Sequence, residues 1–328
     1  MPLPRRPSAA RALGLFWTAV LLAGITGAVT LQVLGPLPRP APPVVAEVPR
    51  PTAAWDGKIA APLPNLLEPS RAFPPALLPR IATDGRMART VYARPSAPDT
   101  RPRVAIVVAG FGLSDADSRA AIQRLPGAVT LAFSAYTPNP EALLATARAD
   151  GHELLASLPM EPQGAPYDTA GDRALMTGAG PGENLRNLEW VLGRLQGYVG
   201  LTGASDGMRG ERYAGLTTGF HAVLREFAGR GLLYLDPRPT EGRPGELLPG
   251  VHAARTDLVL DDPPGRADID AKLVALERLA RERGSAVGLA GPLRPVMIEK
   301  ITAWAQGAEA RGIVLVPISA LTTMEPGR

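Results

Sequence analysis

Cysteine is absent from this 328-residue chain, which excludes disulfides, thiolate metal centres and cysteine nucleophiles. Histidine occurs three times, at His152, His221 and His252. No two are spaced i, i+4, so the helical histidine pair of many metal sites is missing too. A positive charge surplus is missing from most of the length. Residues 1–100 carry 11 Lys and Arg against 5 Asp and Glu, whereas residues 101–328 carry 24 against 26. The overall charge of +4 therefore belongs to the N-terminal third, and the remainder has no electrostatic footprint for nucleic acid. Two nucleotide and hydrolase signatures also fall short. Ala109-Gly110-Phe111-Gly112 lacks the third glycine and the acidic ribose partner of a dinucleotide loop. Gly203-Ala204-Ser205-Asp206-Gly207 is not G-x-S-x-G, and no histidine or acid is placed by sequence to activate Ser205.

What is present divides the chain into four parts. Residues 13–34 hold no charged side chain and include Phe16 and Trp17; about 20 such residues cross a bilayer as a helix. Arg5, Arg6 and Arg11 precede them, which leaves residues 1–12 in the cytoplasm. A cleaved signal peptide is the alternative. The run exceeds the roughly 7–15 apolar residues usual for one, and no small-x-small cleavage site follows. A single-pass signal anchor in the inner membrane is expected, with the rest exported to the periplasm. Residues 35–102 hold 16 of the 36 prolines and read as a semi-rigid linker. Its less biased part, 77–95, reads as a lead-in arm that packs on the domain beyond it.

Residues 103–322 form that domain. Val104-Ala105-Ile106-Val107-Val108 is a short apolar run typical of a buried parallel strand, and Ser114 is placed to cap a helix over 115–123. Further strands are expected over 129–133, 153–158, 199–202, 232–236, 258–260, 286–289 and 313–317. The helices between them fall over 140–149, 184–195, 218–230, 269–283 and 295–310. This alternation indicates an α/β fold of βαβ units, an incomplete barrel with about seven parallel strands. Active sites of such folds lie at the carboxyl ends of the strands.

Residues 151–162, Gly-His-Glu-Leu-Leu-Ala-Ser-Leu-Pro-Met-Glu-Pro, resemble the Gly-His-Glu-x-x-x-His-x-Pro-Met-Glu-Pro motif of the divergent polysaccharide deacetylase family. Residues 104–113, 197–213, 231–240 and 286–292 are similar to four further segments of that family, so the resemblance spans roughly residues 103–320. It implies a NodB-like, distorted β/α barrel and metal-assisted hydrolysis of acetyl groups on a polysaccharide. That chemistry requires a divalent ion held by a carboxylate and two imidazoles, and a second carboxylate as base. The family's paired aspartates fall at Ala109 and Gly110. Its histidines fall at Ser157, at Ala204 or Met208 depending on the placement of a gap, and at Gly291. Asp236, Asp261 and Asp262 remain near strand ends, and two or three carboxylates can hold only a hard cation weakly.

The expectation is a catalytically degenerate domain that needs no cofactor and binds a cell-wall glycan or an envelope protein. Ser157, Glu161, Asp206 and Arg238 are the candidate substrate-binding residues, with Tyr136, Tyr167 and Tyr213 available to stack on sugar rings. The alternative is an active deacetylase or esterase with a rearranged catalytic site built on Asp236, Asp261 and His252. A plainer reading of Glu161 and Asp236 is that they brace loops. His152 and His221 read as structural.

Overall fold

The computed structural model describes residues 16–23, 25–26, 55–239 and 250–324. It comprises two units, Met1–Ala54 and Trp55–Arg328. In the first, residues 16–23 and 25–26 are helical. Among the described residues no helix is long and apolar enough to cross a membrane. Residues 1–15, 24 and 27–54, which include most of the expected anchor and the start of the proline-rich linker, lie outside the described residues.

The second unit opens with the arm. Strands β1 (Leu67–Pro69) and β2 (Leu77–Pro79) pair antiparallel, and a short helix α1 (Ala88–Val91) follows. Leu66, Leu78, Ala88 and Tyr92 are buried, and the Tyr92 hydroxyl accepts from Leu63 N at 2.8 Å. Packing thus includes Ile59 and Leu66, well inside the segment expected as linker. Its prolines alternate with Leu, Ile and Tyr, and those side chains have a core to enter.

The remaining elements alternate. They are β3 (Arg103–Phe111), α2 (Asp115–Arg124), β4 (Thr130–Ser134), α3 (Glu141–Ala149), β5 (Leu154–Ser157), α4 (Pro181–Leu192) and β6 (Gly200–Thr202). Then come α5 (Glu211–Ala214), α6 (Thr217–Gly229), β7 (Leu233–Asp236), β8 (His252–Arg255), β9 (Leu258–Val259) and α7 (Arg266–Arg283). The chain ends with β10 (Ser285–Ala290), α8 (Pro295–Ala308), β11 (Val314–Leu315) and β12 (Thr323–Met324). Ser114 caps α2 as expected, its side chain accepting from Asp117 N.

The strands order as β12-β8-β7-β6-β5-β4-β3-β10-β9, with β11 paired to β3. From β8 to β9 all pairings are parallel, while β12 lies antiparallel on β8. The result is a curled half-barrel of eight parallel strands rather than seven. The parallel strand of this path not expected from sequence is β8, whose His-Ala-Ala-Arg carries no β-branched residue and no Phe, Tyr or Trp and so gives little local strand signal, while the strand expected over 313–317 is β11, off the path.

Residues 255–258 curl the sheet. Thr256 N and Oγ1 donate to Asp236 O at 3.0 and 2.9 Å, which continues the pairing of β8 with β7. One residue on, Asp257 N donates to Val287 O and Asp257 Oδ2 accepts from Val287 N, both at 2.8 Å. The chain thus leaves β7 and joins β10, which lies five strands away along the sheet. One short segment ties both edges together.

At the amino end of β5, His152 is fully buried with its ring nitrogens 2.8 and 3.2 Å from Val129 O and Ile122 O, and burial lowers its pKa. Its neighbour Glu153 accepts from the Ser319 hydroxyl, from Ser319 N at 3.1 Å and from Arg94 N at 3.2 Å. It thereby joins arm, barrel and C-terminal segment. Burial raises its pKa from 4.5 to about 7, against the hydrogen bonds from Ser319 and Arg94. A folded value above the unfolded one makes the native state the tighter proton binder. The resulting stability is complete below about 4.5 and is lost as pH rises through about 7. Chemical denaturation of wild type and Glu153→Gln at both ends of this interval checks the assignment. The advantage of the wild type shrinks by on the order of 3 kcal/mol with rising pH, and an unchanged difference would contradict it.

Candidate functional site

Parallel pairing puts the carboxyl ends of all eight strands around one mouth. Ser134, Ser157 and Thr202 sit side by side in register there, and Asp236 lies opposite Arg255. Four of the positions that the resemblance assigns to metal chemistry meet at the centre, while Gly110 and Ser157 lie outside it. Ala109, Ala204, Met208 and Gly291 line one cavity with Gly207, Arg209, Val259, Leu289 and Ala290, and the space left is about 10 Å³. That is about the room for a single water. Both candidates for the third motif's histidine, Ala204 and Met208, line it, so either placement of the gap gives the same result.

Backbone geometry closes the centre further. Gly291 has φ +144°, and a Cβ there would stand 2.9 Å from Ala109 O. Any side chain at that position requires β10 to move away from β3. Ser205 N and Met208 N exchange hydrogen bonds with Met208 O and Ser205 O at 2.9 Å each. Between them Asp206 and Gly207 both have positive φ, +46° and +82°, the type I′ hairpin turn that Asp-Gly favours. This turn sets the Met208 side chain against the central cavity. Ser205 is therefore a turn residue.

These residues do not fit a metal. A methyl group, a glycine and a thioether stand where a hard or borderline divalent ion needs carboxylate and imidazole. Among the described residues no three His, Asp or Glu side chains converge on a point where they could hold one. The Ser157 hydroxyl, 1% exposed at the end of β5, has no hydrogen-bond partner among the described residues.

The carboxylates around the mouth are engaged within the protein. Asp236, buried at the end of β7, accepts from Arg238 Nε at 2.9 Å, from Nη2 at 2.6 Å and from Arg238 N at 3.0 Å. This fork raises the pKa of Arg238, whose guanidinium also lies 5.5 Å from the Phe220 ring. Asp261 accepts from Gly291 N at 3.1 Å and stands 3.8 Å from Arg294 Nη1; burial raises its pKa. Glu161 takes the Thr177 N–H and hydroxyl, each at 2.6 Å, and pairs with Arg212 at 3.2 Å. Burial opposes its ionisation, but Thr177 and Arg212 together hold its pKa below the usual value.

His252 does not join this group. It pairs with Leu233 at the start of β7, whereas Asp236 lies at its end. At about 3.3 Å per residue the imidazole sits some three residues below the mouth, held by the strand His252–Arg255. His221 lies on α6.

Above the central cavity lies an outer groove of about 320 Å³. Ser134, Tyr136, Thr169, Asp172, Ser205 and Asp206 line it, with Leu113 and Met208. Tyr136 is braced from behind: its hydroxyl accepts from Arg173 N at 2.9 Å and its ring centroid lies 5.4 Å from that of Trp190. Of the substrate-binding candidates, Asp206 lines this groove, and Ser157, Glu161 and Arg238 lie outside its lining. Tyr167 is 95% exposed and Tyr213 only 2% exposed on α5. No sequence motif singles out Thr169 or Asp172, whereas Ser134 stands at the carboxyl end of a strand, where sites of such folds lie.

Comparison with known proteins follows this geometry. The divergent polysaccharide deacetylase family matches residues 106–322. The crystal structure of an uncharacterised protein of Agrobacterium tumefaciens is similar at 34% identity and a TM-score of 0.69, over 75% of this chain and 99% of that one. A candidate cellobiose-phosphate cleavage protein of Enterococcus faecalis gives 14% identity and a TM-score of 0.46, covering 68% of this chain and 100% of that one. A family 4 carbohydrate esterase of Streptomyces lividans, solved with acetate, gives 12% and 0.40, covering 70% and 100%. No curated protein matches the chain.

The Asp236–Arg238 fork yields a stability prediction. Asp236→Asn removes the charge from a buried acceptor and costs roughly 2 kcal/mol, read as a lower denaturation midpoint with an unchanged denaturant slope. An unaltered midpoint would mean that the fork does not hold the end of β7.

Proposed function

The chain belongs to the divergent polysaccharide deacetylase family, and from that premise we propose that it binds glycan without deacetylating it. The carrying observation is the central cavity. Four positions that the resemblance assigns to the family's metal chemistry, Ala109, Ala204, Met208 and Gly291, line it beside Arg209, and the lining holds no carboxylate or imidazole. No step of metal-assisted hydrolysis can be derived from such a lining. A rearranged catalytic site would call on Asp236 and Asp261. The first is held by Arg238 and the second by Gly291 and Arg294, which favours binding over catalysis.

In this reading the outer groove receives a sugar. Tyr136 offers a ring face of fixed orientation for a pyranose. Ser134, Thr169, Asp172 and Asp206 supply hydroxyl and carboxylate groups to its hydroxyls. Met208 forms an apolar floor that keeps the scissile region of an acetylated sugar away from buried polar groups. The uncharged run over 13–34 and the arginines before it support an inner-membrane anchor with the barrel on the periplasmic side. A cell-wall glycan then becomes the nearest polymer of this class, and an envelope protein the other candidate partner.

Two assays on the purified full chain test the proposal. Insoluble peptidoglycan retains the protein in the pellet, and Tyr136→Ala weakens retention roughly fivefold. An acetylated glycan incubated with the protein releases no acetate above the buffer control. Acetate release abolished by Asp236→Ala would overturn the proposal, and an absence of retention would transfer the role to a protein partner.

A further inference from the structure

A larger cleft, about 640 Å³, lies on the flank of the barrel and shares no lining residue with the mouth groove. Its walls come from the arm, through Phe73 and Pro75, from the start of α3, through Pro140 and Glu141, and from α4 and the turn after it, through Trp190 and Arg194. Arg148 forms part of its depth. The arm residues precede the segment that matches the family and the other walls lie within it.

Its two arginines have no ion-pair partner among the described residues. Arg148, only 7% exposed, donates from Nη1 to Gln196 O at 3.0 Å. Arg194 donates to Ala135 O at 3.1 Å and to Thr137 O at 3.0 Å. Both guanidinium groups are thus bonded to neutral carbonyls, and neither forms an ion pair with a carboxylate among the described residues. Arg173 stands over the same aromatics, 5.7 Å from the rings of Phe73 and of Trp190, and Arg194 lies 5.4 Å from Trp190. Of the nearby acids, Glu189 is turned to Ser70 Oγ at 2.7 Å, and Glu141 is exposed on the rim. A nearly buried cation without a counter-ion carries a desolvation cost that a ligand anion relieves. The planar fork of arginine suits a carboxylate in particular. Phe73, Trp190 and the prolines beside it provide the apolar faces on which a ring packs, in a volume typical of small-ligand sites.

We propose that this cleft is a binding site for a carboxylate-bearing sugar, with Arg148 and Arg194 receiving the carboxylate and Phe73 and Trp190 flanking the ring. Its position suits a polymer. The Trp190 ring touches Tyr136 of the mouth groove, and Arg194 holds the loop that carries Tyr136, so the two sites adjoin across one ridge. The assignment does not depend on the reading of the mouth.

The test is a calorimetric titration of the full chain with N-acetylmuramic acid and with N-acetylglucosamine, which differ by the lactyl carboxylate. The acidic sugar binds at least about tenfold tighter, and added salt weakens it. Arg148→Gln removes that advantage. Glu141→Gln, on an exposed helix start, strengthens binding about twofold and decides the matter should Arg148→Gln fail to fold. Asp206→Ala, in the mouth, leaves it unchanged, which separates this site from the other. Equal affinity for the two sugars, or binding that responds to Asp206→Ala and to neither cleft variant, overturns the proposal. Tighter binding of an acetylated glutamate peptide than of the acidic sugar overturns the sugar assignment.

Discussion

The architecture depends on a two-residue switch in strand pairing. Thr256 hydrogen bonds to the end of β7 and Asp257 to the middle of β10, so one continuous segment joins the two edges of the sheet. Parallel sheets need both faces covered and have no hairpin to fix their ends; here the junction fixes the curvature. Everything at the mouth follows from it. The ends of β3 and β10 approach until Gly291 tolerates no Cβ beside Ala109 O. The ends of β4, β5 and β6 bring Ser134, Ser157 and Thr202 into one row.

That tight centre has a chemical consequence. A metal site requires converging donors oriented by a second layer of hydrogen bonds. In this barrel the second layer has closed on itself. Asp236 serves Arg238, Asp261 serves Gly291 and Arg294, and Glu161 serves Thr177 and Arg212. Each carboxylate fixes a loop at the mouth, and the middle is lined by small and apolar groups together with Arg209. The same loops carry Tyr136, Asp172 and Asp206 outward into a groove. Rigid loops around an apolar floor suit recognition.

Much of this was legible in the residues, for physical reasons that differ by element. The run over 104–108 declares a buried strand because nothing polar interrupts it. Ser114 marks a helix start because its side chain satisfies an otherwise free N–H. Asp206-Gly207 carries the signature of a turn with two positive φ angles, which explains Ser205 better than nucleophilic chemistry does. Strand β8 was hidden because His-Ala-Ala-Arg owes its conformation to neighbours on either side and to no preference of its own. The arm was hidden by its prolines, which suggested an extended linker although Leu66, Leu78 and Tyr92 had a surface to pack on. The flank cleft could not be read at all. It joins residues 62–77 to 140–148 and 190–196, and no local pattern announces a contact over that separation. Tyr213 shows the same limit, since a loop-like sequence context placed it outside and the fold buries it.

The central proposal is that this chain keeps the family's scaffold without a site that holds a metal. Elemental analysis of the purified full chain, dialysed against zinc, manganese and magnesium and then against metal-free buffer, tests this most directly. The account predicts a folded protein with far less than one equivalent of any of the three. Near-stoichiometric metal that disappears in Asp236→Ala would contradict it, because a working site would then exist among residues that the geometry assigns to loop bracing.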